Sequence, residues 1–335
     1  QTITTDVNHG KYQYFKDAIW KRPPEIMNCA YDEIKVFDTI DVNDVAQGIL
    51  GNCYFLASLS GLAEEPDRIK PILQTQTANK NGKYSVRFYV RGVPTIITVD
   101  DRFPCYNFSP HNPLFSKPKG KELWAVIVEK AWAKLFKSYT NIEPGTVEDA
   151  LENLTGAPSF GFQVAEETDD EIWKKLKSAD QKKYIIGASS KSDVKEDATG
   201  IVKNHAYTVV SVHEVEGHKL LRLRNPWGKF EWKGDFSDSS LLWTDSLKKA
   251  VQYEVSDNGM FYMSLKDFRC YYEDYTIHHY SDGWHYSFVE QKCSAKHANY
   301  YKFSVDKPCE AYFRIHQKDV RALGLGEKEQ KDHKY

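Results

Sequence analysis

The sequence predicts an α+β protein in which a helical first part is followed by a strand-rich second part. Up to Gly156 the strongest apolar segments have helical spacing, and the clearest covers residues 122–139 with a broad apolar face. Beyond Gly156, residues 205–212 and 219–224 alternate apolar and polar side chains, as half-buried strands do. The core would therefore combine helices and a sheet in two successive parts.

The chain length and the positions of Gly and Pro residues suggest where these parts are divided. The chain has 335 residues, which is room for about two domains of ~100–200 residues. Gly156 and Pro158 end a helix where the pattern changes, so we place a boundary there. The predicted units cover residues 1–156, 157–281 and 282–335.

The remaining elements follow from the same two periodicities. Residues 84–90 and 95–101 alternate on either side of a Gly92-Val93-Pro94 turn and predict a β-hairpin. Further helices are predicted from Cys53 to the break at Pro66 and at residues 68–73, 147–154, 169–183 and 265–271. Further strands are predicted at residues 184–188, 259–264 and, among aromatic residues, 274–288. Residues 10–28 are expected to form an extended lead-in, and residues 189–199 a polar loop.

Composition excludes several classes of function. Hydrophobic residues make up 41% and charged residues 27% of the chain, as in soluble globular proteins. The net charge of -2 gives no electrostatic reason to expect nucleic acid or an acidic membrane as partner. No apolar run approaches the ~20 residues of a transmembrane helix. The polar N-terminus lacks Met and a signal-peptide pattern, which predicts an internal start.

The cysteines favour a reducing compartment. The six are sparse, irregularly spaced and without a C-x-x-C pair, which argues against both a zinc site and a disulfide framework. We therefore expect reduced thiols and a cytoplasmic protein.

One cysteine lies where a nucleophile would be placed. Gly48 and Gly51 permit a tight turn, and Cys53 follows it at the start of an apolar helix. The positive end of the helix dipole is expected to lower the pKa of that thiol. The alternative is a buried structural cysteine, the commoner role of a lone Cys.

Two later residues supply what such a nucleophile needs. His205 begins one alternating strand and Asn225 follows another, so an antiparallel pairing would make them neighbours. Asn225 would orient the imidazole, which would face Cys53 in the Cys-His-Asn arrangement of papain-like proteases. Gln47 and the Cys53 backbone N–H suit an oxyanion hole, and Trp227 could shield the His–Asn bond. Each residue alone also has a structural explanation, such as a turn at Asn225-Pro226.

Several motifs in order resemble the protease core of the calpain family. The resemblance extends from about Trp20 to about Tyr275. Its main segments are residues 47–57 (Gln-Gly-x-x-Gly-x-Cys-x-Phe-Leu-Ala), 122–134, 155–156, 204–207 (Asn-His-Ala-Tyr) and 222–228 (Arg-Leu-Arg-Asn-Pro-Trp-Gly), with shorter matches at 231–232, 236–238, 263–264 and 267–268.

This resemblance implies a papain-like core of two subdomains with the active site in the cleft between them. It implies an intracellular, calcium-regulated endopeptidase that makes limited cuts in proteins bound as extended peptides. Cys53 would be the nucleophile, His205 the base, Asn225 its orienter and Gln47 an oxyanion donor. Residues 282–335 would begin the β-sandwich that follows the core in many calpains, with strands at 300–305 and 311–315. Further calpain domains or a regulatory subunit would be the expected partners.

Calcium is the cofactor that the resemblance implies, at one site in each subdomain. Asp44 and Glu129 match the family positions in the first, and Glu231 and Asp238 those in the second. Asn258 is a further candidate ligand, although the family usually has acidic residues there and at Met260. Solvated charges or an ion pair are the alternative for Asp44 and Glu129.

Other departures and other functions stay open at this point. The family usually has Asp-Cys-Trp where this chain has Asn52-Cys53-Tyr54, a change that could alter the floor of the cleft. A transglutaminase also uses a Cys–His pair with calcium, but it would want Asp in place of Asn225. A non-enzymatic alternative is a pseudoprotease scaffold that binds partners through the cleft.

Overall fold

The computed structural model describes residues 13–143, 145–281, 283–290 and 300–316. Its described part combines helices with a six-stranded antiparallel sheet and two two-stranded sheets. The helices are α1 Gln13–Lys16, α2 Pro23–Met27, α3 Cys53–Ala63, α4 Pro66–Ile69, α5 Trp124–Leu135, α6 Val147–Thr155, α7 Asp169–Gln181, α8 Glu196–Thr199, α9 Asp245–Ala250 and α10 Leu265–Tyr271. The strands are β1 Ile19–Lys21, β2 Lys83–Val90, β3 Val93–Asp100, β4 Phe103–Cys105, β5 Ser159–Gln163, β6 Ile185–Ser190, β7 Ala206–Val215, β8 His218–Arg224, β9 Met260–Ser264 and β10 Tyr272–His278.

The first hydrophobic core forms around α3. Every residue of this helix after Cys53 is buried, because apolar side chains cover all of its faces. Helices α5 and α6 and the β2–β3 hairpin pack around it. Phe55 stacks on Trp132 of α5 with ring centroids 4.8 Å apart and planes 10° from parallel. The broad apolar face predicted for residues 122–139 belongs to this core.

The second core lies on the large sheet. Its strands have the order β5-β10-β6-β7-β8-β9, and all of its pairs are antiparallel. Apolar side chains of α7 and α10 pack against buried apolar side chains of the strands. A smaller cluster that includes Trp243 and Leu247 packs beside Tyr262 of β9. The strands predicted at residues 184–188, 205–212, 219–224 and 259–264, and the one beginning near 274, therefore belong to one sheet.

The two cores meet where α3 lies against the sheet. A Cβ at Gly61 would stand 2.5 Å from Cγ2 of Ile185 in β6, so glycine permits the close approach. The Thr208 hydroxyl of β7 donates to the Ala57 carbonyl oxygen of α3 at 2.8 Å. The helix that begins with Cys53 is thus fixed directly to the strand that follows His205.

The largest differences from the predicted elements are at the two ends. The lead-in contains α2 and β1 rather than extended chain alone, and Pro23 begins α2, where its fixed φ suits a first helical turn. The strand expected across 274–288 ends at His278. The strands predicted at 300–305 and 311–315 are wrong, because no strand occurs in 283–290 or 300–316. None of the described helices is long and apolar enough to cross a membrane.

Aromatic contacts hold the segment after β10 in place of strand pairing. The Tyr286 hydroxyl donates to the Gly92 carbonyl oxygen at the tip of the β2–β3 hairpin. Further along, Tyr312 stacks on Trp284 with centroids 5.2 Å apart. Arg314 pairs with Glu152 of α6 at 2.5 Å. These residues contact the first part of the chain, at the hairpin tip and at α6, without joining a sheet.

Candidate active site

Cys53 is the first residue of α3, and a tight loop leads into it. A Cβ on Gly48 in this loop would stand 2.3 Å from the Leu114 carbonyl oxygen and 2.0 Å from that of Phe115. Only glycine can approach a backbone so closely. The Ile49 N–H donates to the same Leu114 oxygen at 3.0 Å. The loop is fixed in this way, and with it the start of the helix.

The predicted strand pairing brings His205 and Asn225 together. β7 and β8 are antiparallel, with Thr208 opposite Arg224. The residue before β7 is therefore close to the residue after β8. The His205 Nε2 atom lies 2.8 Å from the Asn225 Oδ1 atom, and both residues are buried.

The hydrogen bonds of Asn225 determine which nitrogen of His205 carries the proton. Asn225 Nδ2 donates to the carbonyl oxygens of Lys229 at 2.8 Å and Phe230 at 3.2 Å. Asn225 Oδ1 accepts the Trp227 backbone N–H at 3.0 Å, so it is also the acceptor towards the imidazole. In the neutral ring Nε2 is therefore the donor and Nδ1 the basic nitrogen.

The Cys53 sulfur lies beside the start of β7. The backbone N–H of Ala206 is directed at this sulfur, and together with the N–H groups of Cys53 and Tyr54 it favours the thiolate. Ala206 directly follows His205 in the chain. The thiol and the imidazole thus occupy one small region, although a large part of the sequence separates them.

The expectation of a lowered Cys53 pKa is wrong. Burial raises the pKa of the thiol and outweighs the three N–H groups directed at it. Burial also lowers the pKa of His205 to about 4, against the opposing effect of its bond to Asn225. At neutral pH the resting pair is a thiol beside a neutral imidazole.

Gln47, the expected oxyanion donor, is turned towards its own loop. Its Nε2 donates to the Leu50 carbonyl oxygen at 2.7 Å, and its backbone N–H donates to the Pro226 carbonyl oxygen at 3.3 Å. Its buried Oε1 has no hydrogen-bond partner within the described ranges. The amide has two N–H bonds, of which Leu50 takes one.

Aromatic rings cover the imidazole. The Trp227 ring centroid lies 4.6 Å from that of His205 with planes at 50°, and Tyr207 stands edge-on at 5.0 Å. Phe230, half exposed, lies 5.9 Å from Trp227. A cavity of about 220 Å³ opens beside these rings. It is lined by Gln47, Gly48, Trp227, Lys229 and Phe230.

Asp44, a predicted ligand of the first calcium site, is buried among protein donors. Its carboxylate accepts the Asp41 N–H at 2.7 Å and the Trp124 Nε1–H at 3.3 Å. The Lys119 ammonium lies 3.5 Å away. Asp44 is thus not the solvated charge of the alternative interpretation, although it does take part in an ion pair.

Glu129, the other predicted ligand of that site, is also buried and hydrogen-bonded. It accepts the Asn52 Nδ2–H at 2.8 Å, and Ser116 donates its N–H at 3.0 Å and its hydroxyl at 2.5 Å. Burial raises the pKa of Glu129. Asn52 Oδ1 is buried and has no partner in the part of the chain that the structure describes. An orphaned oxygen beside a buried carboxylate is donor chemistry that suits a hard cation such as calcium.

The carboxylates of the second predicted calcium set are hydrogen-bonded to protein donors. Glu231 Oε1 accepts the N–H groups of Asn258 at 3.1 Å and Gly259 at 2.8 Å. Asn258 Oδ1 accepts the Met260 N–H at 3.0 Å, and Asp238 accepts a tyrosine hydroxyl at 2.9 Å. Neither Asn258 nor Met260 offers a carboxylate. Within the residues described, no three His, Cys, Asp or Glu side chains cluster so that they could hold a metal ion.

Sequence reasoning missed Arg224, which is buried beside the site. It ends β8 and directly precedes Asn225. The available signal was a charged residue at the end of an otherwise apolar strand, next to a candidate catalytic residue. The two departures from the family pattern are also buried: Asn52 bonds Glu129, and the Tyr54 hydroxyl donates to the Ile142 carbonyl oxygen at 3.0 Å.

Comparison with known proteins places this site in a family. The family model described as "Calpain family cysteine protease" matches residues 2–279. The chain is 38% identical over 270 residues to the "Calpain-type cysteine protease DEK1" of Zea mays and 39% identical over 267 residues to that of Arabidopsis thaliana. It is 34% identical over 262 residues to "Calpain-14" of Homo sapiens. The chain belongs to the calpain family.

Each of these three calpain matches covers 76% of this chain but much less of the relative. The chain spans 12% of the length of the two plant proteins and 38% of human Calpain-14. Membership therefore concerns the region that includes Cys53, His205 and Asn225, and the mixed helix and sheet content agrees with a calpain protease core.

Proposed function

We propose that this chain is the catalytic core of a calpain-type cysteine endopeptidase that makes limited cuts in other proteins. The observation that carries the proposal is the 2.8 Å bond between His205 and Asn225. The bonding of Asn225 leaves Nδ1 as the basic nitrogen, and Cys53 lies beside the next residue of the chain. A nucleophile, a base and an orienting group are thereby available in one place.

In the proposed first step, His205 Nδ1 takes the proton of the Cys53 thiol and the sulfur attacks the scissile carbonyl carbon. The resulting oxyanion would accept hydrogen bonds from the Cys53 backbone N–H and the Gln47 amide. Because burial disfavours the separated charges of thiolate and imidazolium, proton transfer would accompany attack rather than precede it.

In the second half of the cycle, His205 gives its proton to the leaving amine and the C–N bond breaks. The acyl group then remains on Cys53 as a thioester. Water attacks this carbonyl carbon while Nδ1 accepts its proton, and the proton returns to the sulfur as the carboxylic acid product leaves. Throughout, Asn225 would hold the ring orientation and Trp227 would keep water from the His–Asn bond.

The finer architecture and the cellular setting belong to the same proposal. We assign residues 1–156 and 157–281 to the two subdomains of a papain-like core. The substrate would be an extended peptide lying in the cleft, and further calpain domains or a regulatory subunit would be its partners. A cytoplasmic location agrees with the free thiols of the five cysteines that the structure describes.

Calcium regulation is proposed for the first subdomain alone. Asp44 and Glu129 would hold the ion there, and the orphaned oxygen of Asn52 supports this choice. A bound ion would supply positive charge that compensates these buried carboxylates. The set of Glu231, Asp238 and Asn258 is not proposed as a site, because none of its atoms is an unpaired buried oxygen like that of Asn52.

A second candidate function is a partner-binding scaffold with little or no catalysis. Two observations favour it: burial raises the Cys53 pKa, and Gln47 donates to Leu50 instead of facing an open oxyanion hole. In that case the cleft would bind a peptide and not cut it.

Labelling and cleavage distinguish the two functions. The protein is incubated with a thiol-directed epoxide and, separately, with a denatured protein substrate, with calcium and with chelator. We expect covalent labelling at Cys53, located by mass spectrometry, and cleavage of the substrate. If neither labelling nor cleavage occurred, whether calcium or chelator was present, the protease would be rejected and the scaffold favoured.

Matched variants identify the reacting thiol. Cys53→Ala should abolish both reactions, whereas Cys270→Ala, which removes an exposed free thiol, should leave both unchanged. If Cys53→Ala still cleaved the substrate, the activity would belong to another residue or a contaminant.

A further inference from the structure

Arg224 is a buried cation between the parts of the proposed active site. Its side chain is 1% exposed, and it directly precedes Asn225. Burying a guanidinium is costly unless its N–H groups find acceptors. Its neighbours therefore indicate what the arginine does for the fold.

Three groups from the first part of the chain accept hydrogen bonds from Arg224. Nη1 donates to the Ser60 hydroxyl at 2.6 Å, Nη2 to the Val45 carbonyl oxygen at 3.0 Å, and Nε to the Asn43 side-chain oxygen at 3.3 Å. The guanidinium thus uses all three of its nitrogens, each on a different residue.

Two of these acceptors belong to the two elements that carry the other proposed active-site groups. Ser60 is in α3, the helix that begins with Cys53. Val45 is two residues before Gln47 in the loop that leads to that helix. Arg224 itself is covalently joined to Asn225. One side chain therefore connects the nucleophile helix, the oxyanion loop and the strand that ends at the orienting residue.

The chemistry of the contact favours positioning over a simple ion pair. All three acceptors are uncharged, so the direction of each N–H bond matters more than net attraction. Asp41 and Asp44 are near enough to favour the cation, while burial lowers the pKa of Arg224 to about 10, so it stays charged at neutral pH. A lysine could not present the same planar fork to three separate acceptors.

We propose that Arg224 is a positioning residue that sets the distance between Asn225 and the Cys53–Gln47 region, so that the two halves of the active site are in register for catalysis. This inference rests on the proposed protease function. It assigns to Arg224 no contact with substrate: the residue acts through Asn225, the loop around Val45 and α3.

Steady-state kinetics on a peptide substrate test the proposal. The four variants are Arg224→Met, Arg224→Lys, Ser60→Ala and the double variant Ser60→Ala/Arg224→Met. Arg224→Met should lower kcat about 100-fold, because a misplacement of ~1 Å at reacting groups can have that effect. KM should stay within about twofold, since no substrate contact is lost. Arg224→Lys should preserve most of the melting temperature and yet fail to restore kcat. Ser60→Ala should lower kcat less, and its effect should not add to that of Arg224→Met.

The matched control is Arg222→Met, on the same strand two residues earlier, where the side chain lies over Tyr262. It should leave kcat unchanged. The rate of Cys53 alkylation by the epoxide, measured on folded protein, should fall with kcat in the Arg224 variants and stay unchanged in Arg222→Met.

Each result decides one question. If Arg224→Lys retained wild-type kcat and alkylation rate, or if kcat fell only in proportion to the unfolded fraction, the positioning role would be overturned. If Arg224→Met does not fold, Arg224→Lys and Ser60→Ala still supply that comparison. A wild-type protein that neither cleaves nor is labelled rejects the protease function itself, which is a different failure.

Discussion

Three hydrogen bonds at one residue, Asn225, determine the chemistry available to the site. Its amide donates to two backbone carbonyls, so only its oxygen can face His205. A carboxylate there would face the carbonyl oxygens of Lys229 and Phe230 and lose both bonds, which explains why an amide suits this loop. The imidazole tautomer is therefore fixed before any substrate arrives.

The stability of the protein should depend on pH through His205. Burial lowers its pKa to about 4, whereas an unfolded histidine titrates near 6.5. Between these values the unfolded chain binds more protons, so the free energy of unfolding should fall as the pH falls from about 6.5 to about 4. The stability contributed by the neutral imidazole is complete above about pH 6.5, and its loss should reach about 3 kcal/mol below about pH 4.

Urea unfolding at pH 7.0, 5.5 and 4.5 measures this contribution. Other buried histidines, such as His278, titrate in the same direction, so the quantity to compare is the difference between wild type and His205→Gln. That difference should shrink by about 2 kcal/mol between pH 7.0 and 4.5. A pH-independent difference would contradict a buried neutral imidazole.

At the scale of elements, the loop from Val45 to Cys53 depends on a glycine. Gly48→Ala would place a methyl group against the carbonyl oxygens of Leu114 and Phe115. We expect the loop to move away, which would destabilise the fold by about 1–3 kcal/mol and displace Gln47. Thermal melting and kcat on a peptide substrate should both decrease.

The neighbouring Ile49→Ala is the control for that change. Its side chain is 37% exposed, and the backbone N–H that bonds Leu114 is retained. It should alter both measurements little. Equal losses in Gly48→Ala and Ile49→Ala would show that general loop packing, and not the glycine approach, is responsible.

Elements with a strong apolar periodicity were predictable from the sequence. Elements that are short, or that pair with a segment far away in the sequence, were not. The helix predicted at residues 265–271 has those bounds, and the β2–β3 hairpin lies within a few residues of its prediction. β1 and β4 have three residues each and pair across a large sequence distance, so no local sequence pattern predicts them. Helix α9 has only six residues and little apolar periodicity.

At the scale of the whole molecule, the site lies where the two cores meet. The juxtaposition of His205 and Asn225 was predictable, because adjacent alternating strands commonly pair in antiparallel hairpins. The burial of Cys53 and the bonds of Arg224 were not, because both depend on how α3 packs on the sheet. Local sequence pattern carries no information about such a contact between distant segments.

Measurements of calcium binding should distinguish between the two predicted ligand sets. Isothermal titration of the wild-type chain should give about one ion per molecule, since ligand number and charge set affinity. Asp44→Asn and Glu129→Gln should weaken that binding, whereas Asp238→Asn should not change it. Retained affinity in both first-set variants, or loss in Asp238→Asn, would contradict the assignment.

The order of the active-site residues along the chain has a consequence for synthesis in the cell. In the proposed mechanism the nucleophile is Cys53, whereas the base and the orienting amide follow at positions 205 and 225. A growing chain therefore exposes its thiol long before the ribosome has made the strands that would activate it. Until β8 pairs with β7 and Arg224 reaches α3, the nascent protein has no assembled triad. If the chain is the proposed protease, completion of the fold would be the first control on its activity.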